Sequence, residues 1–239
     1  MIDSKALVLS KVRYGDTSLI VKCFTKELGL RSYLLKGVLS SKKSKLRASY
    51  FQHLTLLEIT VSDKSNAALG FIRDVKVLDA FHATQTDPIK RTITLFLAEI
   101  LTSCFQEESS NTALFDYIEA SLKWLDSHEH STNFHLLFLL RLTRYLGFYP
   151  DASNDHLPFF DMQEVMFAEQ QPYHSHLSGQ ELDDFRQLLG TNFDALSSLN
   201  LSAKRRTMLL DALIRYFQLH LHGFKKPRSL AVLSEVFNS

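Results

Sequence analysis

The stretch QHLTLLEITVS, residues 52–62, sets Leu57, Ile59 and Val61 alternately with Glu58, Thr60 and Ser62. A period of two places the apolar side chains on one face of a strand and the polar ones on the other. Val75 and Val77 alternate with Asp74 and Lys76 in the same way. Working outward, 6–12, 18–24, 30–36 and 69–78 read as further short β runs, and Gly15, Gly29, Gly37 and Gly70 stand at or near their ends, where glycine makes a turn cheap. No proline falls in residues 1–80. Five short strands with the longest connection between the third and fourth match a small closed Greek-key barrel of the OB type, with an SH3-like barrel as the alternative.

Beyond Asp79 the period becomes helical. Asp87 suits an N-cap, with Pro88 at the first helical position. Ile89, Ile93, Phe96, Leu97, Ile100, Leu101 and Cys104 then fall on one stripe. Further helices are predicted over 113–124, over 134–146 up to Gly147, from a capping box of Ser178 and Glu181 to Gly190, over 202–222 before Gly223, and over 230–237. The helix over 134–146 is apolar almost all round and belongs in the middle of a bundle. Residues 148–177 hold three prolines and read as an irregular insertion with a hairpin over 159–167. The fold class is therefore α+β: an N-terminal five-stranded OB-type β-barrel, residues 1–80, followed by an all-helical C-terminal domain, residues 81–239.

A chain of 239 residues, 45% hydrophobic and 22% charged, has enough apolar sequence to bury a core. Its longest apolar run, 136–140, falls far short of the roughly 20 residues of a membrane helix. Asp3, Lys5 and Lys11 interrupt the stretch a signal peptide would keep apolar. Cys23 and Cys104 are its only cysteines, too few for a disulfide framework and suited to a reducing cytoplasm. The net charge of +1 conceals strong segregation. Residues 1–80 carry 14 Lys+Arg against 7 Asp+Glu, 81–200 carry 6 against 17, and 201–239 carry 7 against 2. Basic segments around an acidic body point to a polyanionic partner.

No phosphate-binding loop, nucleophile elbow, HExxH helix or dinucleotide fingerprint occurs in the sequence, so no catalytic residue and no enzymatic activity is expected. His220 and His222 point about 200° apart on a helix and cannot chelate one ion together. His174 and His176 would share a face only in an extended loop. With no cysteine beside them, these histidines are expected to pack rather than ligate, and neither metal nor cofactor is expected.

Residues 28–57 contain no Asp or Glu yet hold Arg31, Lys36, Lys42, Lys43, Lys45 and Arg47. Five of these six lie in LLKGVLSSKKSKLRAS between the third and fourth strands, interspersed with serines that donate to phosphate oxygens. A solvated basic loop would look the same taken alone. The barrel class, a frequent single-strand binder, favours nucleic acid. Tyr14, Tyr33, Tyr50 and Phe51 are mostly expected in the core. A second cluster comprises Lys204, Arg205, Arg206, Lys225, Lys226 and Arg228. The last three suit a helix C-terminus, but the first three sit in a first turn, where positive charge is unfavourable and calls for an anionic partner. The apolar 134–146 helix is expected to contribute a pocket for that partner.

The order of these features resembles a known family. ALVLSKVRYGDTSLIVKCFTKELGLRSYLLKGVLSSKKSKLRASYFQHLTLLEI, residues 6–59, resembles the N-terminal barrel of RecO proteins, bacterial recombination mediators, through Tyr14-Gly15-Asp16, Thr25, Gly29 and Lys36-Gly37. FHLLFLLRLTRYLGFYPD, 134–151, is similar to the family's central helix, and HGFKKPRSLAVL, 222–233, to its closing segment. The resemblance implies a cytoplasmic, nucleoid-associated DNA repair protein that binds single- and double-stranded DNA and anneals complementary strands without ATP. It also implies RecR, single-stranded-DNA-binding protein and RecA-bound filaments as partners, and gives the DNA-binding role to Lys36, Lys42, Lys43, Lys45 and Arg47. Many family members carry a four-cysteine zinc site after the central helix, whereas residues 150–200 here have no cysteine. Packing of Phe159, Phe160, Met162, Met166 and Phe167 is expected to replace it. The alternative function is a protein-docking adaptor that captures acidic tails with little intrinsic DNA binding.

Overall fold

The computed structural model describes residues 1–40, 46–62, 69–105, 110–129 and 132–238. Its first compact unit comprises residues 1–127 together with 227–229. Strands β1 (Ile2–Tyr14), β2 (Ser18–Thr25), β3 (Gly29–Leu35), β4 (Leu56–Val61) and β5 (Ile72–Asp79) form one sheet in the order β3-β2-β1-β4-β5, antiparallel throughout. All five expected strands are present. β4 starts later than expected because Leu54 takes a φ of 57° and the Thr55 amide turns back to the Gln52 carbonyl at 3.2 Å. The outer strands meet at a single parallel bridge, where the Leu34 amide donates to Gly70 and the Gly70 amide to Ser32. Among the described residues no continuous ladder closes the sheet, so the OB-type architecture holds with an incomplete seam. Glycine eases the approach there, since a Cβ at position 70 would crowd the Tyr33 ring at 3.0 Å.

Ala6, Val8, Val21, Tyr33, Phe51 and Ile59 are among the residues that fill the barrel core. Compaction does not stop at residue 80, where the composition shifts. A short helix the sequence did not announce, α1 (His82–Thr86), is followed by α2 (Pro88–Cys104) and α3 (Thr112–Ser127). Asp87 caps α2 as expected, accepting from the Ile89 and Lys90 amides at 2.8 and 3.0 Å. Ile89 leaves the expected buried stripe and is 41% exposed, because its turn precedes the packed part of the helix; Ile93 through Cys104 keep to the stripe. The Phe24 ring lies 4.4 Å from Phe105 and 5.8 Å from Phe115. Lys5 and Lys123 both pair with Glu119, at 3.0 and 2.6 Å. Burial alone would raise the Glu119 pKa, but those two cations outweigh it and hold the carboxylate ionised.

The second unit comprises residues 128–226 and 230–239. Helix α4 (Phe134–Leu146) has the expected bounds and ends at Gly147 with a φ of 89°. The 148–177 insertion is more regular than expected: β6 (Phe159–Asp161) and β7 (Met166–Ala168) form the hairpin, and β8 (His176–Ser178) adds a third strand on the other side of β6. Phe160, Met162 and Phe167 are buried, whereas Met166 is exposed. Helices α5 (Gly179–Leu189), α6 (Ala203–His220) and α7 (Leu230–Asn238) follow. Ser178 occupies the N-cap of α5 in extended backbone, but its hydroxyl makes no cap hydrogen bond, so the expected capping box is not formed. His220 stacks on Phe148 and donates to the Met162 carbonyl at 2.7 Å. Among the described residues no group of three or more His, Cys, Asp or Glu is placed to hold a metal ion.

Candidate nucleic-acid interface

Lys42, Lys43 and Lys45 lie outside the described residues. The residues flanking them do not. Lys36 is exposed just past β3, and Arg47 is exposed two residues beyond Lys45. Arg31 stands opposite Cys23 in the β2–β3 register, half-buried, and donates to its neighbouring Leu30 carbonyl at 3.2 Å, apart from the exposed cations. Residues 37–40 are tied to the β1–β2 turn: the Gly37 amide donates to the Ser18 hydroxyl at 3.3 Å and the Leu39 amide to the Thr17 carbonyl at 2.9 Å. Lys36 Nζ lies 5.3 Å from the centre of the Phe71 ring, itself 41% exposed. One end of the barrel thus collects the β1–β2 turn, Lys36 and Phe71.

Sequence reading missed Phe71, and Tyr14 is the exception among the four aromatics mostly expected in the core. Tyr33 and Phe51 are core residues as expected, but Tyr14 is 57% exposed. The cause is a register shift in β1. Val8 pairs with Cys23, both in the core, whereas Ser10 pairs with Lys22. One extra residue at Leu9 reverses the facing of everything after it, turning Ser10, Val12 and Tyr14 to the outer face. Lys11 is thereby sent the other way, where its Nζ donates to Gln52 at 2.7 Å and burial lowers its pKa. The same face presents Lys22, a cation no loop pattern would have flagged.

The second basic cluster separates. Lys204, Lys225, Lys226 and Arg228 are exposed, but Arg205 and Arg206 have acceptors inside the helical unit. Arg205 Nε donates to both carboxylate oxygens of buried Asp184, at 3.0 and 2.9 Å. Arg206 donates to Asn133 at 2.9 Å and to the Leu201 carbonyl at 3.1 Å, with its guanidinium 5.5 Å from the Phe237 ring centre. Their charge in the first turn of α6 is accounted for by these acceptors, not by an external anion. The expected pocket on α4 is also corrected: Phe134 and Leu136 through Leu140 are all buried. A surface groove of about 420 Å³ lies instead along α6, lined by residues that include Met208, Ile214, Arg215 and Lys226.

The family described as Recombination protein O N terminal matches residues 1–81, and that described as Recombination protein O C terminal matches residues 85–230. A DNA repair protein RecO of Flavobacterium psychrophilum is 46% identical to the chain over 239 residues, 99% of each. Those of Christiangramia forsetii and Bacteroides fragilis are 42% and 36% identical, over 99% and 97% of each chain.

Proposed function

The chain belongs to the RecO family of DNA repair proteins, and from that premise we propose that it is a non-enzymatic recombination mediator that binds single- and double-stranded DNA and anneals complementary strands. On this reading it acts in the cytoplasm at the nucleoid, with RecR and single-stranded-DNA-binding protein as partners in loading RecA. One observation carries the DNA-binding part: the acid-free window 28–57 is mounted on an OB-type barrel with Lys36 and Arg47 exposed at the two flanks of its basic loop. Cations strung along a connection suit a phosphate backbone, because releasing condensed counterions rewards charge without demanding base geometry.

If about five phosphates are neutralised, a single-strand slope of about 0.7 per contact makes affinity fall on the order of 100-fold between 50 and 200 mM salt. Replacing Lys42, Lys43 and Lys45 with Ala flattens that slope by about two units for unrelated oligonucleotides alike, and annealing falls with it. A folded triple variant that binds and anneals with the wild-type salt slope removes the loop from this assignment.

The α6 groove favours a second role, docking an acidic, apolar-ended tail of the kind carried by single-stranded-DNA-binding protein. Lys226 lies beside Met208, which is 45% exposed, and its charge is the one a tail carboxylate would use, since Arg215 pairs with Glu181 at 3.3 Å and Asp211 also lines the groove. Titration of a labelled tail peptide into wild type and a Lys226→Ala/Met208→Ala variant tests it; equal affinities exclude the groove.

A further inference from the structure

The outer face of β1, β2 and β3 is divided in two. Leu7, Phe24 and Leu30 face each other across the three strands and are all buried, with the tilted rings of Phe105 and Phe115 packed against Phe24. Past the register shift, Val12, Ile20 and Leu34 form the equivalent row, and it is less covered: Val12 is 64% exposed, and Ile20 and Leu34 are only partly buried. Ser10, Lys22 and Ser32 make the row on one side. On the other side Tyr14 pairs with Ser18, and Lys36 follows Leu35, the partner of Leu19.

Apolar side chains left in water, Val12, Tyr14 and Phe71 chiefly and Ile20 and Leu34 in part, are a cost the core does not require, since the barrel interior is filled by other residues. The same rows carry Lys22 and Lys36 and no carboxylate, and Phe71 lies beside Lys36. An apolar surface bordered by cations is complementary to an unpaired base, whose ring seeks an apolar or aromatic face while its phosphates seek positive charge. A duplex hides its bases within the stack and offers only the phosphates. An acidic, apolar-ended peptide would find the same two features here, and the comparison of based with abasic strands separates it from bases.

We infer that Val12, Tyr14, Ile20, Leu34 and Phe71 form a stacking platform for unpaired bases of single-stranded DNA. This rests on the nucleic-acid reading above and adds to it a component of binding that salt does not screen. It also divides labour within the barrel: the basic loop meets any phosphate backbone, while the platform distinguishes a single strand from a duplex.

The test compares wild-type binding to oligothymidylate with binding to an abasic strand of equal length, which keeps the phosphates and lacks the bases. The abasic strand should bind about tenfold more weakly, or worse, since stacking one base contributes on that order. A Tyr14→Ala/Phe71→Ala variant should lower oligothymidylate affinity towards the abasic level while keeping the wild-type salt slope. Equal wild-type affinity for the two strands, or an undiminished gap in a folded variant, overturns the platform and leaves loop-mediated DNA binding standing. Binding to neither strand at low salt overturns both. Should the variant melt abnormally, the wild-type comparison decides alone.

Discussion

At the scale of single residues, burial sets the chemistry of three titratable groups that a reader of the sequence would treat as ordinary. His135 on α4 is fully buried and stacked on Phe237; burial first, and then the nearby Arg206 charge, push its pKa down to about 3. The imidazole is therefore neutral when folded. Its contribution to stability is complete above the ordinary value near 6.5 and is lost as pH falls from there towards 3, because only the unfolded chain takes up the proton. At pH 5 the loss is about 2 kcal/mol. A His135→Phe variant should show a flatter denaturant midpoint between pH 7 and 5 than wild type; parallel profiles would contradict the assignment. Burial likewise raises the Cys23 thiol to about 12 and Cys104 further still. Neither forms much thiolate near neutrality, so the native protein should resist a chromophoric disulfide reagent at pH 8 and titrate two thiols only when unfolded. Fast labelling of the native chain would show that one of the two is reached without unfolding. None of these shifts was legible from sequence, because each depends on which side chains cover the group.

At the scale of elements, the signals that worked were local and strong. Asp87 with Pro88 announced α2, and the two cap hydrogen bonds are present. Asp87→Ala should therefore destabilise the protein by about 1 kcal/mol in urea, and an unchanged midpoint would mean that the start of α2 is held by something else. Helix α4 was legible to the residue because an apolar run ends at a glycine that takes positive φ. Failures came where tertiary partners decide. HATQT, residues 82–86, has no apolar period, yet it forms α1, with the Thr84 amide donating to Asp126 at 3.0 Å. β8 is three residues long and exists through its pairing with β6. The register shift at Leu9 leaves no trace in composition, which is why the outer face of the barrel, and with it Lys22 and Tyr14, escaped a reading based on alternation. Arg205 and Arg206 were visible as cations; Asp184 and Asn133, distant in sequence, could not be seen as their acceptors.

At the scale of the whole molecule, the shift from strands to helices at residue 80 marks a change of secondary structure and not the end of a compact body. A fragment ending at residue 80 would bare Leu7, Phe24 and Leu30, which are buried in the chain. It should melt without a cooperative transition or aggregate, whereas residues 1–127 should melt cooperatively. A cooperative 1–80 fragment would show that the barrel needs neither α2 nor α3. Even residues 1–127 lack one part of the unit, because residues 227–229 belong to it: the Ser229 amide and hydroxyl both donate to Glu99, at 2.9 and 2.7 Å. Translation runs from the amino end, so those donors emerge from the ribosome only after nearly the entire helical unit has been made. The first body begun thus stays incomplete until residue 229, and a nascent chain must carry an unfinished barrel unit while residues 128–226 of the other are made.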